Sequence, residues 1–210
     1  MIRHILAVSF VLSAFVATVG ACKQGGVGDP CTPDVEYEPT FSGFNIKEAQ
    51  VESKSQQCLT RVCLINHFRG RASCPYGQDP NGVGLTDKNG KAQPACTVPG
   101  TTTKITGETD PNQANARKKS CVPSQCDKRK ADNAVYCSCR CANGYGKTDD
   151  GFKYCTCPDG FFCPSTPLIA ANGLGNEGLA GSYCIKNNTE FDPAGDACGD
   201  KLGSNDRCDD

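Results

Sequence analysis

A mainly apolar run at 5–16 follows Arg3 and His4, and no charged residue interrupts the chain from 5 to 19. The run has no amphipathic period, and it is too short to span a bilayer stably. A positive start, a short apolar stretch and small residues after it form the layout of a secretory signal peptide. Residues 1–21 are therefore predicted to direct export and then to be removed.

Behind this run, apolar and polar residues alternate only over short stretches. The pattern at 44–51 predicts a strand with an irregular register, whereas the apolar spacing at 59–63 suits one helical turn. Two Asn-Gly pairs, at 81–82 and 89–90, are signals for β-hairpins. The expected elements are therefore few and short.

Cysteines alternate along two further predicted strands. Cys137, Cys139 and Cys141 stand two residues apart, and so do Cys155 and Cys157. Cysteines two residues apart in an extended strand lie about 6.6 Å apart along it, so neighbours in these series cannot easily bond to each other. Each should reach a different segment, and the glycine-rich stretch between the two strands would connect them.

Turn-forming residues divide the chain into two cysteine-rich regions. The first region is 31–100, and the second, which includes the C-terminal tail, is 119–210. A linker-like stretch at 101–118 separates them. The spacing Cys-x4-Cys-x10-Cys occurs in both, beginning at Cys58 and at Cys121. The match is consistent with an internal duplication or with coincidence in a cysteine-dense chain.

Composition narrows the fold class. The chain has 17 cysteines, 23 glycines, 13 prolines and no tryptophan, and it has few leucines and isoleucines. Such a chain lies near the disulfide-scaffold class. We expect a small disulfide-rich, loop-dominated fold with short antiparallel β-hairpins, built as one body or as two cysteine-rich subdomains. The formal net charge of −1 gives no bulk field that would favour nucleic acid.

The cysteines could form disulfides, bind a metal as thiolates, or take part in catalysis. An exported chain meets an oxidising compartment, where paired thiols persist as disulfides, so disulfides are favoured. Each bridge that closes a loop of ~15 residues contributes about 3 kcal/mol in the chain-entropy model. Their pairing stays open at this point. The predicted half-cystines are Cys31, Cys58, Cys63, Cys74, Cys96, Cys121, Cys126, Cys137, Cys139, Cys141, Cys155, Cys157, Cys163, Cys184, Cys198 and Cys208.

The residues Val19-Gly20-Ala21-Cys22 resemble the lipobox of bacterial lipoproteins, an aliphatic residue and two small residues before a cysteine. In that family a diacylglyceryl group is attached to the cysteine sulfur, and cleavage falls just before it. The resemblance implies cleavage between Ala21 and Cys22, lipidation of Cys22, and a flexible tether at 22–30. An ordinary signal cleavage would release a soluble secreted protein instead.

Other binding motifs are weaker. The GxGxxG match at 173–178 leaves too little chain for a dinucleotide fold, so a loop is favoured and no cofactor is predicted. Acidic residues near Asp79, near Asp87 and in the tail lack the regular spacing of a calcium loop. Basic residues at 117–119 and 128–130 either meet an anionic surface or form a solvated face.

Catalytic signatures are scarce. After the predicted signal sequence, His67 is the only histidine. Histidine is the residue type that most often serves as a general base. The motifs GxSxG, HExxH and the phosphate loop do not occur, and no spacing marks a catalytic carboxylate pair. We therefore assign no catalytic residue and no metal ligand, and we do not expect an enzyme.

The stretches VGDPCTP at 27–33 and QCLTRVCL at 57–64 make the chain similar to cysteine-rich lipoproteins of myxobacteria and their relatives. This resemblance implies lipid anchoring in the outer membrane or at the cell surface, with no defined activity. We expect a binding or structural module that contacts the membrane through its anchor and recognises a protein or a polysaccharide, not nucleic acid. The alternatives are a metal-binding thiol protein and an envelope hydrolase.

Overall fold

The computed structural model describes residues 24–106, 120–170, 178–195, 198–204 and 208. The predicted signal sequence, Cys22, and most of the GxGxxG stretch and of the predicted linker lie outside these residues. In the described part of the chain, no helix has both the length and the apolar character needed to cross a membrane.

Regular elements are short and nearly all extended. The described helical segments are a 3-10 turn, Asp34–Tyr37, and one α-helical turn, α1 (Ala131–Ala134). The strands are β1 (Ala49–Glu52), β2 (Val62–Asn66), β3 (Thr86–Asp87), β4 (Val135–Ser138), β5 (Arg140–Ala142), β6 (Phe161–Phe162), β7 (Ser182–Tyr183), β8 (Ile185–Lys186) and β9 (Gly203–Ser204). All their pairings are antiparallel. The predicted class, a disulfide-rich and loop-dominated fold with short antiparallel strand pairs, is confirmed.

A three-stranded sheet in the order β1-β2-β4 forms the centre of the molecule. Its middle strand, β2, has packed side chains on both faces. Leu64 joins a cluster with Tyr136 and Ile185, while Ile65 joins the cluster on the opposite face with Phe68. Successive side chains of a strand point to opposite faces, so a strand buried on both sides shows no polar alternation in its sequence.

The helical turn predicted at 59–63 is wrong. The Arg61 amide donates to the Cys58 carbonyl to close a turn, and β2 begins at the next residue. Arg61 has a left-handed φ of 63°, which ends any helical path. Val62 and its successors are extended because they pack between two apolar clusters, whereas Leu59, part of the helical pattern, is exposed.

Two other predicted strands also differ from the structure. β1 starts only at Ala49, and Phe44 makes an isolated antiparallel bridge to Gly70. The segment around Cys155 is a loop, although its amide donates to the Arg140 carbonyl. β5 pairs with β7 instead, since Ser182 and Tyr183 of β7 are buried there.

The two cysteine-rich regions share one sheet. β2 comes from 31–100 and β4 from 119–210, and they pair from Val62 opposite Ser138 to Ile65 opposite Val135. A second link pairs β3 with β9, and a disulfide joins Cys58 to Cys137. The described parts of the two regions are therefore joined.

The spacing match between the regions has no matching structure. Cys63 lies in β2 and bonds to Cys31. Its counterpart Cys126 lies outside the strands and bonds to Cys198. Different environments and different pairings favour coincidence over duplication.

The segment 24–30, predicted to belong to a flexible tether, lies against the body. The Gly28 amide donates to the Cys137 carbonyl at 2.8 Å. A Cβ on Gly28 would lie 2.6 Å from the ring of Phe161, and the residue has a left-handed φ of 97°. Glycine therefore serves close packing at this position instead of flexibility.

Buried polar side chains fill space that large apolar residues would occupy in an ordinary core. Glu36 and Arg71 are both fully buried. The Glu36 carboxylate accepts hydrogen bonds from the amides of Ala72 and Ser73 and from the Ser73 hydroxyl. Arg71 donates to the carbonyls of Phe41 and Glu36. These partners offset the desolvation of both charges.

Candidate functional site

All sixteen cysteines from Cys31 to Cys208 are half-cystines. The pairs are Cys31–Cys63, Cys58–Cys137, Cys74–Cys96, Cys121–Cys208, Cys126–Cys198, Cys139–Cys155, Cys141–Cys163 and Cys157–Cys184. The Cα–Cα distances, 4.9 to 6.2 Å, are ordinary for disulfides. Cys137, Cys139 and Cys141 bond to three different residues, as their spacing along the chain predicts.

Sulfur atoms also gather in three groups, with all members of a group within 4.8 Å of one another. The groups are Cys31, Cys58 and Cys137; Cys139, Cys155 and Cys184; and Cys141, Cys157 and Cys184. Every member is half of a disulfide. The thiolate is the form of cysteine that binds a metal, so a metal site at these residues would first require their reduction.

His67 is held by contacts that join three segments of the chain. Its ring stacks on Phe191 with centroids 3.9 Å apart, and its Nδ1–H donates to the Ile46 carbonyl. Burial lowers the pKa of His67; the bond to Ile46 opposes this shift, and the positive charge of Arg129 adds to it. These contacts give His67 a structural role, and they indicate no catalytic reaction for it.

Three five-residue loops share one hydrogen-bond pattern, at 79–83, 87–91 and 143–147. In each, a side-chain oxygen of the first residue accepts from the amides of the third and fifth. The amide of the first residue donates to the carbonyl of the fifth residue. The fourth residue is a glycine with positive φ, and its amide donates to the carbonyl of the first residue. These are hairpin loops of three residues with a left-handed glycine, not the two-residue type that Asn-Gly most often marks. The carboxylates of Asp79 and Asp87 thus serve their own loops.

The described half of the predicted basic cluster does not form one surface. Arg129 is buried and donates to the carbonyls of Asn66 and His67. Lys130 pairs with Asp127 at 3.4 Å. The other half, at 117–119, lies outside the described residues.

The two most exposed large hydrophobic side chains among the described residues lie in one loop, 143–154, here called the aromatic loop. Tyr145 is 82% exposed and Phe152 is 71% exposed. The charged residues Lys147, Asp149 and Lys153 around them are exposed as well. Exposed aromatic side chains on an ordered backbone are typical of binding surfaces. The glycine-rich sequence of this stretch predicts only a connection between strands, and no pattern in it marks the exposed aromatic residues.

Asn143 organises the first arm of the aromatic loop from a buried position. Its side-chain oxygen accepts from the amides of Tyr145 and Lys147, each at 2.9 Å. Its side-chain nitrogen donates to the Asp150 carboxylate, also at 2.9 Å. One side chain therefore ties both arms of the loop together.

Asp150 organises the second arm. Its carboxylate accepts from the Tyr154 hydroxyl at 2.7 Å and from the Phe152 amide at 3.2 Å. Hydrogen bonds from Asn143 and then Tyr154 lower the pKa of Asp150, so it stays ionised at neutral pH. The Arg140 guanidinium lies 5.6 Å from the centre of the Tyr154 ring. The arm that carries Phe152 is thereby fixed to β5.

Covalent bonds hold the base of the aromatic loop. Cys139 next to β5 bonds to Cys155, and Cys141 within β5 bonds to Cys163. These staples and the polar contacts leave the loop ordered before any ligand arrives. A preorganised loop loses less conformational freedom on binding, which favours affinity.

The chain matches no family model, no curated protein and no solved structure. The function must therefore be inferred from the chain's own geometry. Within the described residues, the aromatic loop is the surface that best fits recognition.

Proposed function

We propose that this protein is an exported, lipid-anchored binding module whose contact surface is the aromatic loop. The observation that carries the proposal is the high exposure of Tyr145 and Phe152 on a loop stapled by two disulfides. Aromatic side chains supply large contact areas at a low entropic cost, since they have only two side-chain torsions to fix. The proposed role is recognition, not catalysis.

Export is supported by the oxidation state of the cysteines. The eight disulfides would not persist in a reducing cytosol. The lipobox-like residues 19–22 add a lipid anchor on Cys22. The resemblance of the stretches at 27–33 and 57–64 to cysteine-rich lipoproteins of myxobacteria supports an anchor in the outer membrane or at the cell surface.

A lipid on Cys22 would hold the body close to the membrane. Gln24 is the first described residue, and Gly25 is already bonded to the body. The Gly25 amide donates to the Gln57 carbonyl at 2.7 Å, and its carbonyl accepts from the Leu59 amide at 2.9 Å. Leu59 is 63% exposed beside this point. Among the described residues, the chain is bound to the body from Gly25 onward, which leaves little free length between a lipid on Cys22 and the body.

A polysaccharide is the ligand class that the aromatic loop fits best. The face of an aromatic ring is electron-rich, and it attracts the polarised C–H groups on the apolar face of a sugar. Lys147, Asp149 and Lys153 flank the two rings, where they can exchange hydrogen bonds with hydroxyl groups. The centre of a protein interface is depleted in charged residues, so this composition suits a protein partner less well.

Binding of the full-length protein to insoluble cellulose, chitin and xylan tests the recognition half of the proposal. Replacing Tyr145 or Phe152 by alanine should weaken binding about tenfold, which corresponds to the loss of one aromatic contact. Tyr37→Ala is the matched control, because Tyr37 is an exposed tyrosine outside the loop. Binding to none of the three polymers, or binding that the double variant retains, would contradict the proposal.

The variant Cys22→Ser tests the anchor half. A serine hydroxyl is a much weaker nucleophile than a cysteine thiolate, so the variant should lack the lipid and keep its signal sequence or be cut inefficiently elsewhere. Mass spectrometry of the mature N-terminus measures both. The eight disulfides should form as in the wild type, because Cys22 is a partner in none of them. A wild-type N-terminus with an unmodified Cys22 would refute lipid anchoring and leave a soluble exported protein.

A further inference from the structure

Cys184 lies at the centre of a contact between two disulfides. Its Sγ is bonded to Cys157 and is fully buried. The same Sγ lies 3.6 Å from the Sγ of Cys139 and 3.7 Å from the Sγ of Cys155. Those two sulfurs are bonded to each other. A thiolate formed on Cys184 would therefore start in contact with both atoms of a second disulfide.

The backbone favours an alternative bond between Cys139 and Cys184. The Cys184 amide donates to the Cys139 carbonyl at 3.0 Å, next to the pair of Arg140 and Tyr183 that joins β5 to β7. Neighbours across an antiparallel pair have Cα atoms roughly 4.5–5.5 Å apart. A disulfide needs about 4.4–6.8 Å. The bond can therefore form without movement of either strand.

We propose that these two disulfides form a thiol–disulfide exchange site whose substrate is a small external thiol. Two equivalents of that thiol convert the bonds Cys139–Cys155 and Cys157–Cys184 into one buried Cys139–Cys184 bond. Cys155 and Cys157 become a partly buried pair of thiols separated by Thr156. This inference does not depend on the proposed binding function.

The exchange proceeds in three balanced steps. The external thiolate attacks the Sγ of Cys157, the bond to Cys184 breaks, and its electron pair stays on the Cys184 sulfur. The Cys184 thiolate attacks the Sγ of Cys139, and the released electron pair goes to Cys155, which takes a proton from water. A second external thiolate attacks the mixed disulfide on Cys157, which releases the oxidised external disulfide and leaves Cys157 as a thiol.

Solvent exposure sets the direction of the exchange. Cys184 is 0% exposed and Cys139 is 7% exposed, whereas Cys155 and Cys157 are only partly buried. A thiolate is disfavoured in apolar surroundings, so the thiols collect at the more exposed pair and the new disulfide at the buried pair. Attack at Cys155 leads to the same products, because the freed Cys139 thiolate lies against Cys184.

Exchange would also release one of the two staples of the aromatic loop, since Cys155 directly follows that loop. The remaining staple, Cys141–Cys163, would still hold it. The dithiol state should therefore show a loop with more freedom on an otherwise intact sheet.

Two single variants test the exchange without any reductant. In Cys157→Ser, the unpaired Cys184 should displace Cys155, so that the free thiol is found on Cys155. In Cys155→Ser, the unpaired Cys139 should displace Cys157, and the free thiol is found there. Both variants should contain a Cys139–Cys184 bond, located by alkylation of free thiols and mass spectrometry of proteolytic fragments.

Cys96→Ser is the matched control, because neither Cys96 nor its partner Cys74 belongs to a sulfur group among the described residues. Its free thiol should stay on Cys74. A free thiol on Cys184 in Cys157→Ser, or a Cys141–Cys184 bond, would overturn the proposal.

The wild-type protein provides a test that needs no variant to fold. A limiting amount of 2-mercaptoethanol should produce the Cys139–Cys184 bond, with Cys155 and Cys157 alkylated. Alkylation of Cys157 together with Cys184, while Cys139–Cys155 stays intact, would overturn the proposal as well.

Discussion

At the scale of single residues, His67 should make stability depend on pH. Burial, together with the positive charge of Arg129, lowers the pKa of His67 in the folded state. In the unfolded chain the pKa is about 6.5. Between the folded pKa and about 6.5 the unfolded chain binds more protons, so the free energy of unfolding should fall as the pH falls through this window. Above about pH 7.5 His67 should have no such effect.

Denaturant unfolding at a series of pH values, with the disulfides intact, measures this dependence. His67→Asn should remove the His67 contribution, and asparagine tolerates the left-handed φ of 48° at this position. The other histidine of the chain, His4, lies in the predicted signal sequence, so His67 is the only imidazole among the described residues. An equal loss of stability with falling pH in the variant would contradict the assignment.

At the scale of elements, the three five-residue loops differ in what surrounds their glycines. Gly90 has a φ of 79° and open space where a Cβ would be. Gly90→Ala should therefore lower the free energy of unfolding by only about 1–2 kcal/mol, the cost of a left-handed backbone conformation for alanine. Gly146 has a similar φ of 73°, but a Cβ would lie 2.6 Å from the Ser165 carbonyl oxygen. Gly146→Ala should lower the free energy of unfolding by about 1–3 kcal/mol more than Gly90→Ala, because the backbone at Ser165 or at Gly146 must move.

Urea unfolding of both variants tests the difference. Gly26→Ala is the control, since no atom lies within 4 Å of its added Cβ and its backbone is not left-handed. Its free energy of unfolding should change by less than about 0.5 kcal/mol. Equal losses for Gly90→Ala and Gly146→Ala would show that the aromatic loop can shift away from Ser165.

At the scale of the whole molecule, many of the half-cystines are also part of the buried core. Cysteines belong to three of the four buried clusters among the described residues. Reduction therefore breaks bonds between distant segments and loosens the packing around them. We expect complete reduction to unfold the body at ambient temperature, since the apolar residues alone are too few.

The order of reduction should follow access to the sulfur atoms. The two disulfides of the exchange site and Cys141–Cys163 should open early, because Cys155, Cys157 and Cys163 are at least partly exposed. Cys58–Cys137 should open last because both residues are fully buried. Timed alkylation with mass spectrometry gives the order, and circular dichroism with protease digestion follows the fold. Native-like spectra and protease resistance after full reduction, or early loss of Cys58–Cys137, would contradict this view.

The sequence by itself determined the features that depend on local chemistry. The loops at 79–83 and 87–91 were predicted from Asn-Gly pairs, because the hydrogen bonds that close each loop form within five residues. The separate partners of Cys137, Cys139 and Cys141 followed from their spacing, because residues two apart in an extended chain are too far apart to bond easily. The disulfide-rich class followed from composition together with the predicted export.

Only the tertiary structure decided which segments meet. Cys58 and Cys137 are 79 residues apart, and no local pattern distinguishes this pairing from the many others. β2 was hidden because packing on both faces removes the alternation that marks a strand. The docking of 24–30 and the exposure of Tyr145 and Phe152 were also missed. Each depends on what the rest of the chain covers, and burial is a property of the packed molecule, not of neighbours in sequence.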